Sequence, residues 1–168
     1  MAVSTQILRT YRHPRAVIRG LFAASETDDR PEARGFIYLL LGCLIMFLGR
    51  LPGMLAAEMT APDAPPTEAL VSITFFLMLT VWPLFFILLA GIVHVVARAV
   101  GGQGTFLRSR LSIAWTVLAV SPLSLLRGMV ESVTGSGPQL LFIDGLIALA
   151  FCMIWAISLT EAERPAAA

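Results

Sequence analysis

Two charged side chains, Arg50 and Asp144, sit inside otherwise apolar runs, and they have the clearest means of doing chemistry in this chain. An ionisable group within a hydrophobic segment is costly, so it marks a structural ion pair or a polar path. Arg50 precedes Glu58 by eight residues and Asp144 follows Gln139 by five. At a rise of about 1.5 Å per residue, both lie roughly 8–12 Å below the same face of a membrane. Antiparallel spans keep depth-matched positions at a near-constant index sum. Arg50 with Asp144 and Cys43 with Cys152 satisfy that rule to within one residue, and Gly49 falls level with Gly145. Small residues let helix backbones approach. The expectation is that the first and fourth spans pack together, with Arg50 and Asp144 paired across them. Three roles fit such residues: an ion pair that fixes helix register, a lining for a proton or solute path, or Arg50 reaching lipid phosphate while Asp144 contacts another protein.

The other reactive side chains assemble no catalytic group. Cys43 and Cys152 lie in apolar runs and read as small packing residues, without the placement of a disulfide framework. His94 sits at the end of a long apolar stretch and His13 in a basic segment, and neither has a second ligand at metal spacing. A site built from Cys43, Cys152 and His94 would need closer clustering. Ser112, Ser121 and Ser124 have no histidine or lysine beside them, and thioether ligation by Met46 and Met54 is no better supported. Trp82, Trp115 and Trp155 read as packing or protein-contact residues. The loop GGQGTF lacks the lysine of a P-loop and follows no strand, which excludes a nucleotide cradle. Its expected role is structural: Gly101 and Gly102 end one helix and Thr105 caps the next. Phe106 anchors the new helix, with Arg108 and Arg110 at head-group level. No cofactor, metal, catalysis or small-molecule substrate is expected.

Composition explains why the chemistry is so sparse. Hydrophobic residues make up 57% of the chain and charged ones 14%, against roughly 45–50% and about 25% in soluble proteins. A mean hydropathy of +0.82 points to a membrane protein. The net charge of +1 reflects segregated charges, which gives no reason to expect nucleic acid. All twelve basic residues are arginine. Coding bias explains that, and so does the guanidinium's two-point grip on lipid phosphate. The first 35 residues carry six arginines and no uninterrupted apolar core, so they do not read as a secretory signal.

The elements follow in order. Residues 1–34 form a cytoplasmic basic segment and hinge. Within it, Val3, Ile7, Leu8, Tyr11, Val17, Ile18, Leu21 and Phe22 alternate with Arg9, Arg12, Arg15 and Arg19. This pattern predicts a short helix, a break, and a second helix from Pro14 to about Ala24. As an amphipathic interfacial pair, it would turn its arginines toward anionic head groups. A bundle of transmembrane helices spans 35–160, with spans at about 35–57, 70–97, 111–129 and 139–160. The 58–69 loop holds three acids, three prolines and no arginine, and Pro62, Pro65 and Pro66 keep it extended. The stretch Leu70–Val100 is too long for one straight span and too short for two, so it reads as one helix kinked at Pro83. Residues 161–168 form a short free cytoplasmic tail.

Arginine placement sets the orientation. Ten arginines fall in the N-terminal segment, the 98–110 loop and the tail, against one in the two opposite loops. The positive-inside rule then puts both termini in the cytoplasm.

Three stretches carry a resemblance. They are HPRAVIRGLFAA before a polar gap and a glycine-led span, GGQGTF followed by an arginine-bearing helix start, and AWTVLAVSP with Pro122 inside the next span. In these the chain resembles the Yip domain family (Ypt-interacting proteins), with Gly101, Gly102, Gly104, Phe106 and Pro122 as the matching positions. The resemblance implies a non-enzymatic membrane factor that binds partners, brings no catalytic residues, and leads one to expect five spans where hydropathy gives four.

The expected fold is therefore all-α and polytopic: four transmembrane helices with an N-terminal amphipathic interfacial helix, in a bacterial cytoplasmic (inner) membrane. The expected function is a non-enzymatic scaffold or accessory subunit that contacts membrane lipids and binds another integral membrane protein or itself. The alternative is a small transporter or channel subunit using Arg50 and Asp144. Against that, no internal repeat of the kind that builds many transporters is visible.

Overall fold

The computed structural model describes residues 3–60, 66–135 and 137–164, with the side chains of 57–60 left aside. Its elements are α1 (Val3–Arg12), α2 (Pro14–Glu26), α3 (Pro31–Thr60), α4 (Thr67–Phe76), a π-helical turn (Leu77–Val81), α5 (Trp82–Ala99), α6 (Phe106–Thr134) and α7 (Pro138–Ala162). Four segments are long and apolar enough to cross a membrane: Pro31–Ala56, Thr67–Ala99, Phe106–Thr134 and Pro138–Ala162. The chain is an all-α, four-span bundle, as its hydropathy leads one to expect. Each span starts or ends a few residues beyond its hydropathic limit. The prolines Pro62 and Pro65 of the expected extended loop lie outside the described residues.

Proline placement explains the local geometry. Pro14 opens α2 where its missing N–H costs nothing. Pro83 removes an N–H from the second span and crowds the carbonyl four residues back. The chain accommodates it with the π turn directly before it, so the span stays helical over 33 residues. Pro122 likewise leaves the Leu118 carbonyl without its helical donor. The Ser121 hydroxyl donates to that carbonyl at 2.9 Å, and the Tyr11 hydroxyl donates to the adjacent Ala119 carbonyl at 2.6 Å. α6 therefore runs unbroken through its proline.

The core is a seam between α3 and α6. Gly42 lies against Leu118 and Gly49 against Ser124 and Leu125. The pairs Gly42–Leu118 and Gly49–Leu125 share an index difference of 76, which means that the two helices run parallel. A Cβ at Gly42 would sit 3.0 Å from the Leu118 nitrogen, and one at Gly49 would sit 2.6 Å from the Ser124 oxygen. A Cβ at Gly128 would overlap the Gly49 carbonyl oxygen. Trp115 is fully buried beside the seam, edge-on to Tyr38.

This seam overturns the expected packing of the first span on the fourth. α6 lies between α3 and α7 and packs on both, while α3 and α7 share no comparable interface. Gly49 faces Gly128, and a Cβ at Gly145 would meet nothing within 4 Å. Cys43 is buried and Cys152 exposed. A constant index sum finds antiparallel neighbours; the tightest contact here joins parallel spans, for which the difference is constant.

α1 and α2 are seated on the bundle. Val17, Ile18, Leu21 and Phe22 pack against Leu111, Trp115 and Leu118. The Trp115 indole N–H donates to the buried Thr10 hydroxyl at 3.1 Å. Ala119, which receives Tyr11, lies roughly 20 Å along α6 from its start. The apolar stripe of the N-terminal segment is thus spent largely on the protein's own core. Residues 161–164 are not a free tail either: Glu161 and Ala162 are buried, and residues 165–168 lie outside the described part.

Candidate functional site

Two ionic clusters stand at opposite ends of the bundle. The first lies in the half of the membrane reached by the C-terminal part of α6. The Arg127 guanidinium holds Asp144 at two points, 2.5 Å and 3.2 Å, and Glu131 at 2.6 Å. Arg127 stands near the end of the expected 111–129 span, and α6 continues to Thr134, which puts Glu131 on the same helix beside it. Its Glu131 partner is one helical turn on, at the i,i+4 spacing that favours ion pairs.

The expected Arg50–Asp144 pair is therefore not the one that forms. Asp144 is taken by Arg127 because α6, and not α3, neighbours α7. The spacing of Arg127 and Glu131 was the available signal, hidden by ending the span between them. Arg50 and Asp144 nevertheless line one cavity of about 370 Å³, together with Arg127, Trp82, Phe86 and Phe151. Among the described residues no carboxylate lies within ion-pair distance of Arg50. Its Cα lies eight residues before Glu58, roughly 12 Å along the helix. A central arginine costs about 2.5–3.5 kcal/mol on membrane-insertion scales, less near the interface.

The second cluster closes the opposite end. Glu161 is 4% exposed and meets Arg19 at 2.8 Å, Arg164 at 3.2 Å and Arg15 at 3.9 Å. Its hydrogen bond raises the pKa of Arg19 above the ordinary value, so that guanidinium stays charged. Next to it, Glu163 accepts from the Gly104 N–H at 3.0 Å, and its backbone carbonyl accepts from the Gln103 N–H at 3.3 Å. Gly101 has φ +97°, a conformation that requires glycine. A Cβ on Gly102 would sit 2.9 Å from the Ala97 carbonyl oxygen, and one on Gly104 would sit 2.8 Å from the Glu163 carboxylate. Thr105 caps α6 as expected, accepting from the Arg108 N–H at 3.3 Å. Phe106 packs edge-on to His94, whose Nδ1 lies 3.6 Å from Glu163. The glycine loop and the end of α7 are thereby clasped together.

The expected lipid-surface arginines divide. Arg9 and Arg12 are exposed on α1. Arg15 and Arg19 reach Glu161, and Arg108 pairs with Glu26 while lying over the Phe22 ring. Arg110 stacks 4.2 Å above Phe106. Sequence reasoning missed Glu161, Glu163 and Arg127. The acidic pair was read as part of a tail, although the run of arginines at the same end called for a counter-charge.

Helix α2, the 101–105 loop and the end of α7 thus meet at one end of a multi-pass helical membrane protein. Residues 8–162 match the Yip1 domain model, and the chain belongs to that family. The matched region runs from within α1 to the end of α7, so it includes the seam, the Arg127 cluster, and Arg15, Arg19 and Glu161 of the other cluster. None of the curated proteins and none of the solved structures matches the chain.

Proposed function

We propose that this Yip1-family protein is a non-enzymatic scaffold or accessory subunit of a bacterial cytoplasmic membrane, binding another integral membrane protein or a second copy of itself and organising local lipid. The observation that carries this reading is the uneven burial of the spans. In their most apolar windows, α6 is 56% buried, whereas α7 is 11% and the Thr67–Ala99 span 22%. α7 turns Leu141, Phe142, Leu146, Leu149 and Met153 outward. Beyond its contacts with α6, α2 and Phe86 of α5, it offers an apolar surface to lipid or to a partner helix, where packing and small residues drive association. Arg9 and Arg12 are exposed on α1, and a basic residue near anionic lipid contributes about 1 kcal/mol. The segregation of arginines supports cytoplasmic termini.

The test is isolation of the tagged chain from native membranes in mild detergent, with mass spectrometry of what accompanies it. A stoichiometric membrane protein supports the accessory-subunit reading. A preparation carrying only itself and lipid sinks it. The cavity beside Arg50 and Asp144 favours a second reading, a small transporter or channel subunit. Flux in liposomes separates the two: a transporter moves solute and loses that flux in Arg50→Leu, whereas a scaffold gives none above protein-free liposomes.

A further inference from the structure

We propose that the cavity beside Arg50 is a binding site for one anionic amphiphile, an oxyanion head on an alkyl chain. The proposal goes beyond the scaffold reading and does not depend on it.

Charge gives the sign of the ligand. Three charged side chains line the cavity, Arg50, Arg127 and Asp144. Arg127 and Asp144 satisfy each other at two points, and Arg127 holds Glu131 as well. Arg50 is left over, a guanidinium on the cavity wall with no carboxylate of the described residues within 4.0 Å, although the Glu131 carboxylate held by Arg127 lies one helical turn away against Gly53. An oxyanion fits that position: guanidinium grips phosphate or carboxylate through two parallel hydrogen bonds. A neutral chain would leave Arg50 without such a partner.

Shape gives the rest of the ligand. The remaining wall is apolar and aromatic, with Met78, Trp82, Phe86 and Phe151 around a volume of about 370 Å³. That volume lies within the range of about 300–1,000 Å³ usual for small-molecule sites. Phe86 and Phe151 face each other with centroids 6.1 Å apart. The π turn before Pro83 contributes Met78 to the wall, and such turns recur at functional sites. Arg50 lies nearer the membrane surface than Cys43, which is seven residues earlier and also lines the cavity. The head therefore sits at Arg50 and the chain runs inward past the aromatic pair toward Cys43.

Two sources supply this chemistry, a bilayer phospholipid and a free fatty acid. The experiment is native mass spectrometry of the purified full-length chain with phosphatidylglycerol, oleate or phosphatidylcholine added in turn. The wild type is expected to retain one equivalent of phosphatidylglycerol or oleate under activation that strips phosphatidylcholine. Preference between the first two names the source. Arg50→Leu and Ala148→Trp, the latter filling the cavity from its α7 wall without adding or removing a charge, are expected to lower retention about tenfold or more. Arg50→Lys should keep part of it, and Arg110→Leu all of it. Equal retention of phosphatidylcholine and phosphatidylglycerol by the wild type overturns the proposal, and so does equal retention by wild type and Ala148→Trp. If Arg50→Leu fails to fold by circular dichroism, those two comparisons decide.

Discussion

The two ionic clusters are inversions of each other. At one end a single arginine, Arg127, is held by two carboxylates, both on transmembrane helices. At the other a single carboxylate, Glu161, is ringed by three arginines, two of them on α2. The first ties spans to each other. The second ties a peripheral segment and the chain's last helix to the bundle, and its arginines Arg15 and Arg19 keep more than half their side-chain surface open. The difference teaches that similar charge counts do unlike jobs: one cluster joins spans to each other, and the other fastens α2 to the end of α7.

The largest effect should follow from Arg127→Leu, which strands Asp144 and Glu131. The cluster is only part-buried, with 45% of the Asp144 side chain open, so the loss is that of charged hydrogen bonds, about 1.5–3 kcal/mol, and detergent unfolding monitored by circular dichroism should show it. Adding Asp144→Leu should restore part of it. If the double variant is no more stable than the single, the cluster does not join the spans. Gly104→Val comes next, because its side chain would press on Ala162 and Glu163. An overpacking loss of about 1–3 kcal/mol is expected.

Glu161→Gln should act on the fastening alone. Proteolysis within residues 9–19 should quicken roughly three- to tenfold, with the midpoint for the four spans unchanged. A matching drop in that midpoint would erase the distinction between the clusters. The smallest change is Tyr11→Phe, which removes one hydrogen bond to Ala119, about 0.5–1.5 kcal/mol. Burial also raises the phenol of Tyr11 above its ordinary value near 10. Because the folded value is the higher one, its contribution is complete below the ordinary value and is lost as pH rises through the raised one. Protection of α1 measured against pH should therefore fall only in strongly alkaline solution, and a loss near neutrality would show that Tyr11 is not the group involved.

Much of the architecture was legible in the chain. The four spans follow from apolar length, the α1–α2 break from Pro14, and the start of α6 from Thr105, since each is a local property of backbone and side chain. The family was legible for the same reason: GGQGT encodes a turn whose glycines the structure cannot replace. What escaped was which spans touch. Gly35, Gly42 and Gly49 recur every seven residues, a stripe down one helix face, and Gly35 and Gly42 turn toward Leu111 and Leu118 of α6. The stripe announces a tight partner without naming it. Hydropathy sees only the cost of leaving water, so it placed the boundary of α6 short of Thr134 and left Glu131 in a turn. Glu161 and Glu163 escaped because acids near a terminus are usually solvated.

The parallel seam also sets an order of events during synthesis. Positions on α3 meet positions 76 residues later on α6, and at about 5–20 residues per second the ribosome takes roughly 4–15 s to make that interval. Through that interval α3 waits in the bilayer with Gly42 and Gly49 facing lipid, a partner-seeking face without its partner. Variants that slow the arrival of α6 should lengthen that exposure and lower the yield of finished bundle, read by pulse-chase of the membrane-inserted chain.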